Sequence, residues 1–230
     1  MRCKIGFMIC IFFFSFNTVA FLEVLPEINI SKPALGMTLD NIMDRVEERY
    51  SQAGFSAVFT QVSTLKVLEI TDTASGTILV KRPGMMRWEY KEPEKQTIIS
   101  DGDMLWMYRP EDNQVIIGKA PDFFKDGKGA GFLSNMKILK KKFSITLENN
   151  NIKDVYIIKL LPHEDVFDLS YIYLNISKKT FNIEQIISYN SYGDETKIIL
   201  HNIEFQKSID NSMFHFVIPK GVDILEFGEP

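Results

Sequence analysis

Two stretches carry most of the information on the fold: residues 77–90 read TILVKRPGMMRWEY and residues 99–110 read ISDGDMLWMYRP. Each is rich in apolar, β-branched and aromatic residues and is interrupted once, by Pro83-Gly84 in the first stretch and by Asp101-Gly102 in the second. Short alternating segments on either side of such turn residues are typical of antiparallel hairpins. The two stretches therefore predict consecutive hairpins of one sheet.

The period of two continues on both sides of these hairpins. Short alternating segments separated by turn residues run from Phe55 almost to the C-terminus, about ten in all. A strongly twisted sheet of about ten strands does not stay flat. The sequence therefore predicts a mainly β protein with few helices, built as an incomplete antiparallel β-barrel from one curved sheet.

Two segments depart from the period of two and predict helices. Thr38 is a suitable N-cap, and the apolar residues after it fall on one helical stripe: Leu39, Ile42, Val46 and Tyr50. A second stripe at helical spacing lies between Lys119 and Lys142: Phe132, Leu133, Met136 and Leu139. We expect both segments to cover the mouth of the barrel, as a helical lid over a hydrophobic cavity.

Strand parity predicts which side chains line that cavity, because alternate residues of a strand lie on the same face. The expected lining residues are long apolar or aromatic side chains on even-numbered strand positions, together with three residues of the lid: Met86, Trp88, Met104, Trp106, Tyr108, Phe132, Leu133 and Met136. A cavity lined in this way suits an apolar ligand. The alternative is that these side chains form an ordinary core between sheet and helix.

Arg82 shares the parity of Ile78 and Val80, so its side chain is expected on the apolar face. A guanidinium directed at such a face needs hydrogen-bond acceptors, because its desolvation is otherwise costly. We therefore include Arg82 among the candidate site residues. The alternative is an arginine at the strand end that turns to solvent before Pro83.

Composition and missing motifs narrow the function classes. The formal net charge of −4 gives no electrostatic footprint for nucleic acid. Both cysteines lie within the first ten residues, and each of three histidines lacks a partner at metal-ligand spacing: His163, His201 and His215. The sequence also lacks a G-x-S-x-G nucleophile elbow. It therefore predicts neither an enzyme nor a metal site, and no cofactor or nucleic-acid partner.

Residues 1–20 are typical of a secretory signal peptide. Arg2 and Lys4 precede an apolar run of 12 residues from Ile5 to Phe16, which is too short to span a bilayer. Small residues at Thr18 and Ala20 favour cleavage after Ala20. An uncleaved interfacial anchor is the alternative.

The remaining chain is predicted to consist of an extended leader, residues 21–37, and a single domain, residues 38–230. Pro26, Pro33 and the lack of periodicity leave the leader without predicted regular structure. With secretion and no second apolar span, we expect a soluble monomer in the periplasm of a bacterium with two membranes.

The segments Val80–Tyr90 and Ile99–Pro110 together resemble the periplasmic lipoprotein carrier family, LolA. The resemblance combines a K-R-P turn, a tryptophan five residues after the proline, and an S-D-G hairpin that leads into L-W-x-Y-x-P. Further matches are Phe59-Thr60-Gln61 and the pattern from Phe214 to Val222. The resemblance covers roughly residues 38 to 225.

The resemblance implies an incomplete antiparallel barrel whose helices form a lid over a hydrophobic cavity. Such a carrier accepts acylated lipoproteins from an inner-membrane ABC transporter and delivers them to an outer-membrane receptor. The family's lid-latching arginine corresponds to Arg82, and the hydrophobic residue that contacts the transporter corresponds to Met86. A periplasmic carrier or sensor of free lipid or glycolipid on the same scaffold is the alternative, because a fold alone does not select cargo.

Overall fold

The computed structural model describes residues 37–50, 54–123, 132–133, 137–148, 152–164 and 169–226, and the signal peptide and most of the leader predicted above lie outside these ranges. Helix α1 spans Leu39–Tyr50, α2 Ala120–Phe123 and α3 Lys137–Lys142, and a 3₁₀ helix spans Asn211–Phe214. The strands are β1 Gly54–Leu65, β2 Ile70–Lys81, β3 Met85–Glu92, β4 Gln96–Asp101, β5 Met104–Arg109, β6 Gln114–Lys119, β7 Phe143–Leu147, β8 Val155–Pro162, β9 Tyr171–Ser177, β10 Ile183–Tyr189, β11 Glu195–Gln206 and β12 Asp223–Glu226.

These strands form one sheet in the order β12-β6-β5-β4-β3-β2-β1-β11-β10-β9-β8-β7. Neighbouring strands pair antiparallel except β12, which pairs parallel with β6. The order has two free ends, β12 and β7, so the curved sheet does not close on itself. The predicted incomplete antiparallel barrel is confirmed, and the described residues form twelve strands where the sequence indicated about ten.

Helix α1 begins and packs as its sequence predicts. The Thr38 hydroxyl accepts a hydrogen bond from the backbone N–H of Asn41 at 3.3 Å, which is the interaction of an N-cap. The buried residues of the helix are Ile42, Met43, Val46 and Tyr50. Met43 therefore joins the predicted stripe, whereas Leu39 is only partly buried and packs against the core cluster. At the far end of the helix, the Tyr50 hydroxyl accepts a hydrogen bond from the backbone N–H of Ile183 at 3.0 Å. This bond ties the end of α1 to the start of β10.

The C-terminal strap, residues 209–222, lies across the outer face of the sheet. Its Phe214 is buried, and the carbonyl of Met213 accepts a hydrogen bond from the Arg87 guanidinium at 3.3 Å. Near its end, the carbonyl of Gly221 accepts a hydrogen bond from the side chain of Asn113 at 2.8 Å. The strap therefore gives the sheet a second, smaller apolar layer on the side away from α1.

Within the part of the chain that the structure describes, no helix combines the length and the apolar character needed to cross a membrane.

Candidate functional site

The concave face of the sheet carries an apolar floor that β2 and β3 share. Val80 pairs directly with Met86, and Ile78 pairs directly with Trp88, so the four side chains project to one face. All four are buried. The parity prediction for Met86 and Trp88 therefore matches the observed register.

Three aromatic rings meet on this floor. The ring centroid of Phe59 lies 4.9 Å from that of Trp88 and 5.0 Å from that of Tyr90, both in edge-to-face geometry. The Tyr90 hydroxyl donates to the side-chain carbonyl of Gln61 at 2.9 Å, and burial raises the pKa of Tyr90 to about 12. The hydroxyl thus stays neutral at physiological pH and adds no charge to an apolar surface. Phe59, named above only as part of the family resemblance, was not among the expected lining residues, although its alternation with Phe55 and Ala57 along β1 carried the signal.

Trp88 brings one unsatisfied polar atom into this floor. Its indole Nε1 is buried and has no hydrogen-bond acceptor among the residues that the structure describes. A buried donor left without a partner costs about 1–3 kcal/mol. Trp88 is therefore held in place by the packing of its ring rather than by its polar atom.

Side chains from α1 and from the segment before and within α3 cover the floor. Ile42 and Val46 of α1 belong to the same buried cluster as Val80 and Met86. Phe132, Leu133 and Leu139 belong to that cluster too, and each is at most 1% exposed. We call residues 132–142 the lid segment; Met136, which the sequence analysis placed with them, lies outside the described residues.

Arg82 follows the last residue of β2 and lies at the rim of this cluster. Its guanidinium donates to the backbone carbonyl of Leu133, with 3.5 Å between Nη2 and the carbonyl oxygen. Burial lowers the pKa of the arginine, and the nearby Glu47 and Tyr50 oppose that shift. An arginine remains charged throughout the physiological range. Its hydrogen bond to the Leu133 carbonyl therefore links a half-buried cation after the end of β2 to the lid segment.

The structure corrects the prediction for Met104, Trp106 and Tyr108, which do not share the face of Met86 and Trp88. Trp88 pairs with Ile98, and Ile98 pairs with Met107, so odd-numbered residues of β5 point inward. The turn between β4 and β5 brings even-numbered positions of one strand opposite odd-numbered positions of the next, and this reverses the parity assumed from numbering alone.

On the outer face, Trp106 and Tyr108 contact the C-terminal strap. The ring centroid of Phe216 lies 5.6 Å from that of Tyr108 and 6.4 Å from that of Trp106. The buried residue on the inward face of β5 is instead Leu105, which pairs with Ser100, itself paired with Met86. Trp106 and Tyr108 therefore serve the packing of the strap.

We expect Phe216→Ala to lower the free energy of unfolding by about 1–2 kcal/mol, because it removes two aromatic contacts and part of the strap's apolar cover. Urea denaturation measures the change. Val217→Ala is the matched control: Val217 is 75% exposed, so its truncation should cost less than about 0.5 kcal/mol. Equal effects of the two substitutions would contradict the proposed packing role of Phe216.

A groove of about 620 Å³ also lies on the outer face, beside the strap. Its lining includes Arg87, Glu89, Glu204 and Met213, and the guanidinium of Arg87 lies 2.6 Å from the carboxylate of Glu89. An acyl chain would have to cover these charges, which makes the groove a poor site for hydrocarbon. Among the described residues, no group of three or more His, Cys, Asp or Glu side chains could hold a metal ion.

This sequence and its fold resemble those of known proteins. A family model described as outer membrane lipoprotein carrier protein LolA matches residues 51–217. This chain belongs to the LolA family. The match spans β1, the apolar floor, the lid segment and the strap as far as residue 217. The LolA resemblance drawn from the two hairpins is thereby confirmed.

Individual relatives agree with membership of the LolA family. The chain is 31% identical over 172 residues to an outer-membrane lipoprotein carrier protein of Neisseria meningitidis, and the alignment covers 75% of this chain and 80% of that protein. A protein of the same description from Pseudomonas aeruginosa is 26% identical over 175 residues, which cover 72% of this chain and 82% of the relative.

A solved structure shares the fold. The crystal structure of an uncharacterized conserved protein from Thermus thermophilus superposes with a TM-score of 0.54 at 13% identity, covering 82% of this chain and 98% of that one. At this identity the likeness concerns the fold alone.

Proposed function

We propose that this chain is a periplasmic chaperone that binds the acyl chains of lipoproteins released from the inner membrane and carries them to the outer membrane. The observation that carries the proposal is an apolar concave floor in a LolA-family sheet, whose buried side chains form one cluster with those of α1 and the lid segment. Its cargo would be acylated lipoproteins.

The physical need for such a carrier follows from the hydrophobic effect. An acyl chain of about 16 carbons exposes hydrocarbon worth roughly 12 kcal/mol, at about 0.8 kcal/mol per methylene. Free lipoprotein therefore does not diffuse through water at a useful concentration. The protein that carries it must offer the acyl chain a comparable apolar surface. The floor around Ile78, Val80, Met86 and Trp88 is such a surface, and in this structure protein side chains already occupy it.

Cargo must therefore displace the cover. Separating the lid segment from the floor exposes Phe132, Leu133 and Leu139, and this cost lowers the net affinity for an acyl chain. A lowered affinity has a use, because a carrier as apolar as a membrane would not release what it binds. Arg82 adds to the cost of opening, since its bond to the Leu133 carbonyl exists only while the lid segment is closed.

The donor and acceptor proposed for this chain are an inner-membrane ABC transporter and an outer-membrane receptor. The residue that the family resemblance assigns to transporter contact, Met86, is only 1% exposed. Contact between Met86 and the transporter thus requires an opened cover. Residues 1–20 would direct export and be removed, leaving the leader and the domain in the periplasm as a monomer.

The experiment that tests this function is capture of cargo from the native compartment. The full-length precursor is expressed in a bacterium with two membranes, the soluble envelope fraction is isolated, and material bound to the chain is identified by mass spectrometry. We expect peptides that carry an acylated N-terminal cysteine. Recovery of free lipid or glycolipid without such peptides would instead support the alternative carrier or sensor.

A further inference from the structure

The turn between β1 and β2 exposes an unusual run of aliphatic side chains. Val67 is 80% exposed and Leu68 is 63% exposed, and the flanking Leu65 and Ile70 are each more than 40% exposed. We call residues 65–70 the β1–β2 tip. Leu65 pairs with Ile70, so the tip is the closed end of a regular hairpin and its side chains are held at the surface by that pairing.

This hairpin projects beyond its neighbour β3. The pairing of β2 with β3 begins at Ser75, whereas the pairing of β2 with β1 begins at Ile70. Five residues of β2 therefore extend past the end of β3, a length of roughly 16 Å at 3.3 Å per residue. The exposed aliphatic side chains stand at the far end of this projection.

The tip is braced on one side by the turn between β10 and β11. The backbone N–H of Lys66 donates to the Asp194 carboxylate at 2.8 Å, and a Cβ on Gly193 would lie 3.1 Å from Lys66 Cδ, so the two turns touch. Tyr192, in the same neighbouring turn, is 62% exposed. This contact fixes the tip against the neighbouring turn, in which the exposed aromatic residue Tyr192 directly precedes Gly193.

We propose that the β1–β2 tip inserts into the surface of a zwitterionic phospholipid bilayer. A standard protein interface uses about 20–30 residues on each side, which a six-residue projection cannot supply. A lipid surface requires no shape complementarity, and binding to it scales with the apolar area that is buried. An aromatic side chain beside aliphatic ones is also typical of segments that sit at the membrane interface.

The charges around the tip indicate zwitterionic rather than anionic lipid. Lys66 is the basic residue of the tip, whereas Glu69 lies in it and Asp72 and Asp194 lie beside it. The carboxylates outnumber the ammonium group, so attraction to an anionic surface would not contribute. Binding is therefore expected to depend on apolar insertion and to change little with salt.

The proposal goes beyond carriage of lipoproteins, because it concerns the cargo-free chain and a bilayer. The test is co-sedimentation with vesicles of phosphatidylcholine and phosphatidylethanolamine in equal parts, without lipoprotein. Wild type is compared with V67S/L68S, which should bind at least about tenfold more weakly. Both proteins are purified from the same envelope fraction and freed of bound lipoprotein, so they carry the same N-terminus and differ only at the tip.

V217S is the matched control, because Val217 is an equally exposed aliphatic residue on the C-terminal strap. It should bind vesicles as wild type does, and all three proteins should unfold at the same urea concentration. Raising salt to roughly 0.5 M should change wild-type binding by less than about twofold.

Three results would overturn the proposal: wild type that does not sediment with vesicles, V67S/L68S that binds as well as wild type, or V217S that loses binding equally. Self-association of wild type that V67S/L68S abolishes, without vesicle binding, would assign the tip to a second copy of the chain instead. None of these results bears on cargo capture, so the carrier function is tested separately.

Discussion

Replacing Arg82 by leucine should make the chain hold an acylated peptide more tightly and pass it on more slowly. In the closed state the guanidinium donates to the Leu133 carbonyl, and the leucine variant leaves that carbonyl without this donor. The closed state thereby loses about 1 kcal/mol relative to the open, loaded state, which corresponds to roughly fivefold tighter binding. The affinity gained in this way must be overcome again on release, so transfer to acceptor vesicles should slow by a similar factor.

A matched control separates the contact of Arg82 from its charge. Arg45→Leu removes the same charge from an exposed position on α1, where the arginine lies 3.5 Å from Glu48. It should leave both affinity and transfer near wild-type values. Fluorescence titration with a diacylated peptide gives the dissociation constant, and dequenching in acceptor vesicles gives the transfer rate. If the Arg82→Leu variant transfers the peptide to acceptor vesicles at the wild-type rate, Arg82 does not hold the lid segment closed.

Gly76→Ala should destabilise the fold by about 3 kcal/mol or more, which lowers the midpoint of thermal unfolding by roughly 6–12 °C. Gly76 lies at the irregularity where β2 meets β3, and an added Cβ would come within 1.8 Å of the Glu89 carbonyl oxygen and 2.9 Å of the Phe59 ring. The first of these neighbours is backbone and cannot move without breaking the ladder. The second neighbour, Phe59, belongs to the apolar floor, so the substitution should also weaken the binding of an acyl chain.

Gly221→Ala serves as the control for glycine replacement in general. Gly221 has a φ of +78°, but no atom lies within 4 Å of an added Cβ. Its replacement should cost about 1 kcal/mol through the left-handed backbone alone and should leave cargo binding unchanged. If both alanine variants unfold at the same temperature, close packing at Gly76 is not what the position requires.

Local signals in the sequence were sufficient for much of this architecture. The hydroxyl of Thr38 followed by a stripe at helical spacing predicted α1, and the turn residues at Pro83-Gly84 and Asp101-Gly102 predicted their hairpins. Arg82 was directed toward the apolar side by parity with Val80, and it does contact the lid segment. In each case the signal in the sequence, which is a helix cap, a pair of turn residues or a strand parity, lies within one element or one hairpin.

The failures arose where the deciding interaction joins distant segments. The orientation of Trp106 depends on the register between β4 and β5 and on a strap that lies about a hundred residues later in the chain. Hydrophobic alternation alone cannot tell which face is covered by α1 and which by the strap, because both faces of β5 are apolar. The β1–β2 tip was likewise unpredictable from alternation, since exposure there depends on where β3 ends.

Within the described residues, β7 and β12 are the two edges of the sheet and pair with no further strand. These edges bear on the size of the ligand that the molecule can enclose. In a closed barrel, strand number and stagger set the diameter, and widening the interior means breaking hydrogen bonds between strands. An open sheet can instead change its curvature through small changes of twist between neighbouring strands. Such a change does not break the hydrogen bonds between the strands. Its capacity is then governed by side-chain packing, so one such sheet can enclose hydrocarbon loads of different bulk.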